Sequence, residues 1–580
     1  MRHLVGIAWH VGGSVLAPFV LAVIAALFLE VSQVAETSGM LLALAGGVLL
    51  PVCLAQNLGL WLKVRRELAM LRQRGPVDTT TLLATIHRHA AIVTPRGWAM
   101  LFAGCGFLVA ALAFKWADLS LVGVVALVAF YALVGASSLL SALVTGRFEA
   151  HLQSRRGAVT RVMTPAVVLQ GEPAEERFTL DRVPVLPGWN LLIEDRMPQR
   201  LATISRYAVG PGAGKGEVSV GGRLRATPRG LYRVGPANIY YQDLFGVARV
   251  SVASVARADL KVLPRFKPLR IVEPPRTREE QPDIVTRIHR FPTEDHFRFR
   301  AYVNGDDTRR IHWRLSVKTG ELQVRTPETR EVSTRTVLLV IDSFLPQGRM
   351  LDDAVGVEEV LDRLVETTLA LAKSLVERGD RVTLVAAARG DDGTLRIERL
   401  PAQKSARLRW QDLGARVVWQ GRADIGALVA AGEGRGVAVL PLDAGAPIEG
   451  AITDAVVVSS RFQTPPPDFA SAGKMTWVYL PPEEALAEPV PSIRDIWLGP
   501  RGTWAKLFRD PFPVGADENG WVHQLLDIRG QLGKRASRLR LKEVAEARGR
   551  ATFAALVARG DTVYRLVPGG AGHQLVGVAP

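Results

Sequence analysis

Two cysteines in 580 residues, Cys53 and Cys105, leave too few thiolates for a disulfide scaffold, a cysteine-held zinc site or an iron–sulfur centre. Charge is also scarce, at 22%, whereas hydrophobic residues reach 48% and the mean hydropathy is +0.14. That balance excludes intrinsic disorder and fits poorly with a purely soluble enzyme. Acidic groups are in the minority. Against 56 Asp and Glu stand 72 Lys and Arg, a formal net charge of +16 that suits nucleic acid or anionic lipid, so the position of the basic residues has to decide between them. A single fold is excluded by length, because about 100–200 residues per domain leaves room for several units.

The apolar excess lies in the first quarter. Stretches from about Val11 to Leu29, Met40 to Leu62, Gly97 to Phe114 and Leu119 to Val144 each supply roughly the 20 residues that cross a hydrocarbon core, so residues 1–150 are predicted to form an anchor of four transmembrane helices. A cleaved signal peptide is disfavoured for the first, since three similar segments follow and no small-residue cleavage site stands out. Lys and Arg are missing from the link holding Glu30 and Glu36. They crowd the next one, with Lys63, Arg65, Arg66, Arg72, Arg74, Arg88 and Arg96. The positive-inside rule then makes this a multi-pass protein of the cell (inner) membrane with both termini cytoplasmic. No charged residue interrupts a span, so an anchor is preferred to a transporter. Gln56 and Asn57 read as interhelical hydrogen-bonding groups, and both cysteines as packing residues.

Beyond the anchor, residues 158–265 show short apolar runs broken by Gly and Pro: Ala166 to Leu169, Arg177 to Leu180, Leu191 to Ile193, Gly216 to Val220 and Ile239 to Tyr241. They predict a small antiparallel β domain. The run Gly210 to Lys215 looks like part of a phosphate-binding loop, but Val209 stands where the first glycine is needed and Gly216 where a hydroxyl would ligate magnesium, so it reads as a hairpin loop.

Residues 266–335 contain the most distinctive stretch, which includes Arg300, Tyr302, Gly305, Asp306, Asp307, Arg309, Arg310, Ile311, His312 and Trp313, then Thr319, Gly320, Glu321 and Leu322. It resembles the signature of the bacterial family of domain of unknown function 58 (DUF58), approximately Arg-x-Tyr-x-x-Gly-Asp-Asp-x-Arg-x-Ile-His/Asp-Trp followed by Thr-Gly-Glu-Leu. Further landmarks agree in order: Glu194 to Pro198, Arg229 to Pro236, and Asp243, Leu244, Phe245 and Gly246. By residue chemistry, Gly305-Asp306-Asp307 is a turn whose carboxylates pair with local backbone and with Arg309 or Arg310. No second histidine stands at metal spacing from His312, so Gly305 to Trp313 is expected to be an interdomain clasp with Trp313 packed inside it. Interspersed carboxylates make local ion pairs a better account of the arginines than nucleic acid.

In residues 336–480, the apolar strand Thr336 to Ile341, a helix from about Val355 to Arg378 and further apolar runs at Arg381 to Ala387, Val437 to Leu442, Ala455 to Ser459 and Met475 to Leu480 imply a parallel sheet covered on both faces. The order resembles a von Willebrand factor A-like α/β domain, as the family resemblance implies. A magnesium-binding A-type domain carries Asp-x-Ser-x-Ser after its first strand; this loop reads Asp342, Ser343, Phe344, Leu345, Pro346, and Arg461 follows the later strand where an acid is expected. Asp342 and Ser343 therefore mark a degenerate position, and no metal or other cofactor is expected.

Residues 481–580 form a C-terminal extension: a Pro/Glu/Ala-rich link, a basic cluster at Arg529, Lys534, Arg535, Arg538, Arg540 and Lys542 that suits anionic lipid or a solvated face, a helix from about Leu541 to Ala558, and a hairpin of Thr562 to Val567 with His573 to Val578. The whole reads as a multidomain protein with no nucleophile–base pair, metal cluster or phosphate loop, which argues against an enzyme. The resemblance implies a non-enzymatic adaptor or scaffold that meets a cytoplasmic MoxR-type AAA+ ATPase and other A-type-domain proteins in envelope-related assembly or maturation. An anionic lipid- or ligand-binding membrane protein and a hydrolase with an unrecognised site are the alternatives.

Overall fold

The computed structural model describes residues 4–12, 47, 58–65, 68–69, 79–154, 158–183, 185, 188–195, 197–198, 200–201, 205–210, 216–224, 227–266, 269–271, 297–327, 336–345, 355–390, 392–402, 407–434, 440–443, 452, 454–460, 475–481, 492–494, 521–569 and 572–578. The chain divides into two units, Met1–Leu263 with Pro491–Arg535 and Pro264–Val490 with Ala536–Pro580.

The first unit carries helices α1 (Thr79–Ala90), α2 (Pro95–Phe114) and α3 (Ala117–Ser154). Thr94 caps α2, accepting from the Gly97 amide at 3.2 Å with Pro95 in the first turn, and Lys115 ends it in the left-handed region at φ +55°. The chain then reverses into α3. Leu101, Leu108 and Ala111 on α2 pack against Val124, Leu127, Phe130, Tyr131 and Val134 on α3. Gly104 and Gly123 bring the two backbones close, because a Cβ on either would press on a leucine of the facing helix. The outer faces of the pair are also apolar: Phe102, Val109, Phe114, Trp116, Leu121, Val122 and Val125 are all exposed.

Among the described residues one helix, Asp118–Ser137 within α3, is long and apolar enough to cross a membrane, and fewer than half of its residues are buried; Arg96–Ala111 is a shorter apolar helix. The four-helix anchor is therefore not established. Its first two spans lie almost entirely outside the described residues, and the third, although helical, is too short an apolar run to count as a span by the same measure.

Past its apolar window α3 continues to Ser154 and seats Phe148 in the β-rich part, edge-on to Tyr241 with ring centroids 6.3 Å apart. Three sheets follow: β1 (Val159–Thr164), β3 (Glu175–Asp181) and β6 (Glu217–Arg223); β2 (Val167–Leu169), β10 (Ala258–Leu263) and β7 (Gly230–Val234); and β5 (Ser205–Val209), β4 (Trp189–Asp195), β8 (Ala237–Asp243) and β9 (Arg249–Val255). Pairing is antiparallel except between β2 and β10. Strict alternation in β1 sends Val159, Arg161 and Met163 inward. Arg161 is tolerated there because it meets the Glu176 carboxylate, donates to Asp195 Oδ2 at 2.6 Å and lies over the Phe178 ring. Burial pushes the Glu176 carboxyl up, opposed by Arg161 and by hydrogen bonds from Tyr207 and Ser205. Of the Gly210 to Lys215 run between β5 and β6, residues 211–215 lie outside the described residues.

The second unit holds a nine-stranded sheet in the order β11-β21-β20-β19-β18-β14-β15-β16-β17. Its strands are β11 (Leu269–Ile271), β14 (Thr336–Ile341), β15 (Arg381–Arg389), β16 (Leu395–Ala402), β17 (Leu442–Asp443), β18 (Asp454–Ser459), β19 (Thr476–Tyr479), β20 (Thr562–Gly569) and β21 (Gly572–Val578). Pairing is parallel apart from β15 with β16 and β20 with β21. Every residue of β14 is buried, because successive side chains enter different cores. Leu339 and Ile341 meet Leu361, Leu364 and Val365 of helix α5 (Val355–Arg378), with Trp410 of α6 (Arg407–Arg416); Leu338 and Val340 meet Leu428 of α7 (Ile425–Gly432).

The last hundred residues do not stand apart as one extension. The terminal hairpin is present and completes the sheet beside β19, with Asp561 accepting from Trp477 Nε1 at 2.9 Å. Ahead of it, helix α8 (Trp521–Ala558) begins well before the predicted Leu541. Arg538, from the basic cluster, pairs with Glu359 of α5.

Candidate functional site

The signature stretch folds as a small unit of its own: strands β12 (Phe297–Ala301) and β13 (Gln323–Pro327) form an antiparallel pair, joined through a single 3-10 turn at Thr308–Arg310 and helix α4 (Trp313–Thr319). Arg300, Asp306, Asp307, His312 and Ser316 are engaged in this construction. Arg300 Nη2 donates to Asp306 Oδ1 at 2.6 Å and the Val303 amide to Asp306 Oδ2 at 2.9 Å, which closes the turn that Gly305 permits at φ +111°. Those two bonds hold the Asp306 carboxyl below the usual carboxylate range. Asp307 caps the 3-10 turn, accepting from the Arg309 amide at 3.0 Å, with Arg310 Nε 4.0 Å from its other oxygen.

His312 is a helix cap. Its Nδ1 accepts from the Leu315 amide at 3.1 Å, which leaves the ring proton on Nε2, and its ring meets Phe299 edge-on at 5.1 Å. Ser316 then donates to the His312 carbonyl at 3.1 Å and accepts from the Gln323 amide at 2.7 Å, so the buried face of α4 is pinned to β13. Gly320 ends the helix in the left-handed region at φ +75°. Ile311 and Val324 bridge as the buried apolar pair, Tyr302 is half-buried, and Arg309 and Glu321 are exposed.

Trp313 is not packed inside the signature unit as expected: it is 62% exposed. The physical reason is helix phase. With His312 and Ser316 turned toward the strands, positions 313 and 317 lie about 100° further round the helix, off the face that meets β13. Val317, one turn on, is 83% exposed, and Arg314 and Lys318 flank the pair. Reading Trp313 in isolation missed Val317; the signal was the i, i+4 spacing behind a capping histidine. What the signature turns outward is thus an apolar pair with Arg314 and Lys318 next to it on the same helix, and Arg309 and Arg310 exposed on the preceding 3-10 turn.

A second cluster sits at the carboxyl ends of β14 and β18. The chain leaves β14 toward β15 on one side and returns to β18 on the other, the switch point at which open α/β sheets expose their strand ends. Asp342 is buried there, with Oδ1 accepting from the Phe344 amide at 3.2 Å and Oδ2 from Ser459 Oγ at 2.5 Å. Ser343 and Ser460 are buried with hydroxyls that have no partner among the described residues. No group of three His, Cys, Asp or Glu arranged to hold a metal occurs among the described residues; Pro346 and Arg461 lie outside them.

The chain thus contains a mixed α/β sheet unit and a β-rich unit carried on an apolar helical pair. Residues 298–410, which run from β12 into α6, match the family model described as "Protein of unknown function DUF58", and this match supports the DUF58 family. No curated protein matches. Among solved structures, Pseudomonas fluorescens alkylpurine DNA glycosylase AlkC bound to DNA containing an abasic site analog is similar over 32% of this chain and 52% of its own, at 16% identity and a TM-score of 0.12, a likeness too slight to carry an argument.

Proposed function

We propose that the protein is a non-enzymatic, membrane-anchored adaptor whose signature unit presents the Trp313–Val317 face to a protein partner. One observation carries this reading: Trp313 is exposed in a unit whose Asp306, Asp307 and His312 are already engaged in its own turns and caps. An exposed Trp beside arginines is the residue pairing that dominates binding surfaces. The adjacent Arg314 and Lys318, with Arg309 and Arg310 exposed on the preceding turn, favour an acidic surface with an apolar pocket. By the family resemblance the partner is a cytoplasmic MoxR-type AAA+ ATPase, with other A-type-domain proteins in the same envelope-related system. The A-type reading of the second unit draws support from the order β16-β15-β14-β18-β19-β20 with β16 antiparallel. Membrane attachment draws support from the apolar outer faces of α2 and α3, and in this reading the anchor is multi-pass with both termini in the cytoplasm.

A photo-crosslinking residue at position 313 of the full chain, irradiated in native membranes, tests the proposal. Capture of an AAA+ ATPase that Val317→Asp abolishes supports it. Crosslinks confined to lipid, to nucleic acid or to the chain itself overturn it.

A further inference from the structure

The turn between β8 and β9 is joined to the start of α2. Asp243 closes the turn, with Oδ1 accepting from the Phe245 amide at 2.8 Å and Oδ2 from the Ala248 amide at 2.5 Å, while Gly246 takes φ +69°. Thr94, the cap of α2, donates its hydroxyl to Gly246 O at 2.5 Å and to Val247 O at 2.9 Å, and its amide to Val247 O at 3.0 Å. Arg96 Nη1 reaches Phe245 O at 3.3 Å, and the Arg249 amide donates to Ile92 O at 2.8 Å. Val247 and Ala248 are buried in the same core as Leu101 of α2. Gly97 makes this fit possible, since a Cβ there would strike the Val247 carbonyl. At the tip of this braced turn, Leu244 and Phe245 are 62% and 68% exposed.

Helix geometry sets the level of the tip. The 20 residues of α2 rise about 30 Å, the thickness of a hydrocarbon core. One end is the Phe114–Trp116 reversal, whose exposed aromatics suit one membrane–water boundary. The other end is Thr94 and Pro95, to which the turn is hydrogen-bonded; in the membrane-anchor reading, where α2 is one of the spans, the tip falls at the opposite boundary. A mobile surface loop gains nothing from two large apolar side chains; a turn held by its own carboxylate and by a helix cap keeps them at one depth.

We propose that Leu244 and Phe245 form a wedge that enters the headgroup–acyl boundary of the bilayer beside the start of α2 and fixes the β-rich part against the membrane surface. The occupant is lipid because the turn is continuous with the apolar helical pair. The inference rests on the membrane-anchor reading, and the experiment separates the two. Full-length protein, with Cys53 and Cys105 replaced by alanine, is reconstituted in phosphatidylcholine–phosphatidylglycerol vesicles and spin-labelled in turn at Leu244→Cys, Phe245→Cys and Val125→Cys. Collision rates with oxygen and with a water-soluble nickel chelate then report depth. Expected is a lipid signature at Val125 and an interfacial one, with oxygen collisions exceeding nickel collisions, at both turn positions. Lipid at Val125 with free nickel access at 244 and 245 overturns the wedge alone. Nickel access at all three overturns the anchor reading and the wedge with it. Two labelled turn positions keep the result readable if one variant melts early.

Discussion

His312→Ala removes two things that the structure separates. The Nδ1 acceptor for the Leu315 amide disappears, at a cost of about 0.5–2 kcal/mol for an N-cap. The edge-on contact with Phe299 disappears as well, worth about 0.5–1.5 kcal/mol. His312→Asp restores an acceptor at the cap but not the ring, so the difference between the two variants isolates the capping bond. Because α4 has only seven residues and is pinned through Ser316, the effect is local and is best read by amide hydrogen exchange of Leu315 to Thr319 in the full chain. The capping term predicts exchange roughly 2- to 30-fold faster in His312→Ala than in His312→Asp. Equal rates in the two variants would refute the capping argument, and wild-type protection in His312→Ala would refute both terms.

Trp313→Ala should leave the melting transition within about 0.5 kcal/mol of wild type, since an exposed side chain contributes little packing, while partner capture is lost; a large drop in melting temperature would restore the clasp. The depressed Asp306 carboxyl has a definite sign: its contribution is present above the ordinary carboxylate pKa and is lost as pH falls through the lower folded value. Arg300→Gln should return the Asp306 titration, followed by NMR, toward the ordinary range. Isothermal titration of the full chain with magnesium or manganese should show no micromolar site, because Asp342 already accepts from Ser459 and Phe344; binding abolished by Asp342→Ala would overturn this.

Local pattern was enough to locate most elements. The unbroken apolar run of β14 announced a strand buried on both faces, the spacing of Leu361, Leu364 and Val365 announced α5, and the apolar length of α3 announced a helix suited to a bilayer. The turn chemistry of Gly305-Asp306-Asp307 was likewise legible, because a carboxylate two or three residues from an amide can only close a local ring. What the sequence could not determine were the choices made by distant partners. Nothing in residues 562–578 names β19 as their neighbour, since strand pairing is carried by main-chain groups that every sequence shares. Ser459 meets Asp342 only because β18 returns beside β14, and Phe245 stands at the level of a helix cap only because Thr94, some 150 residues earlier, bonds its turn. Trp313 shows the same division on a smaller scale. Its presence is a matter of sequence, but the direction it faces depends on which side of α4 the Ser316 hydroxyl ties to β13, and that bond exists only once the hairpin has folded.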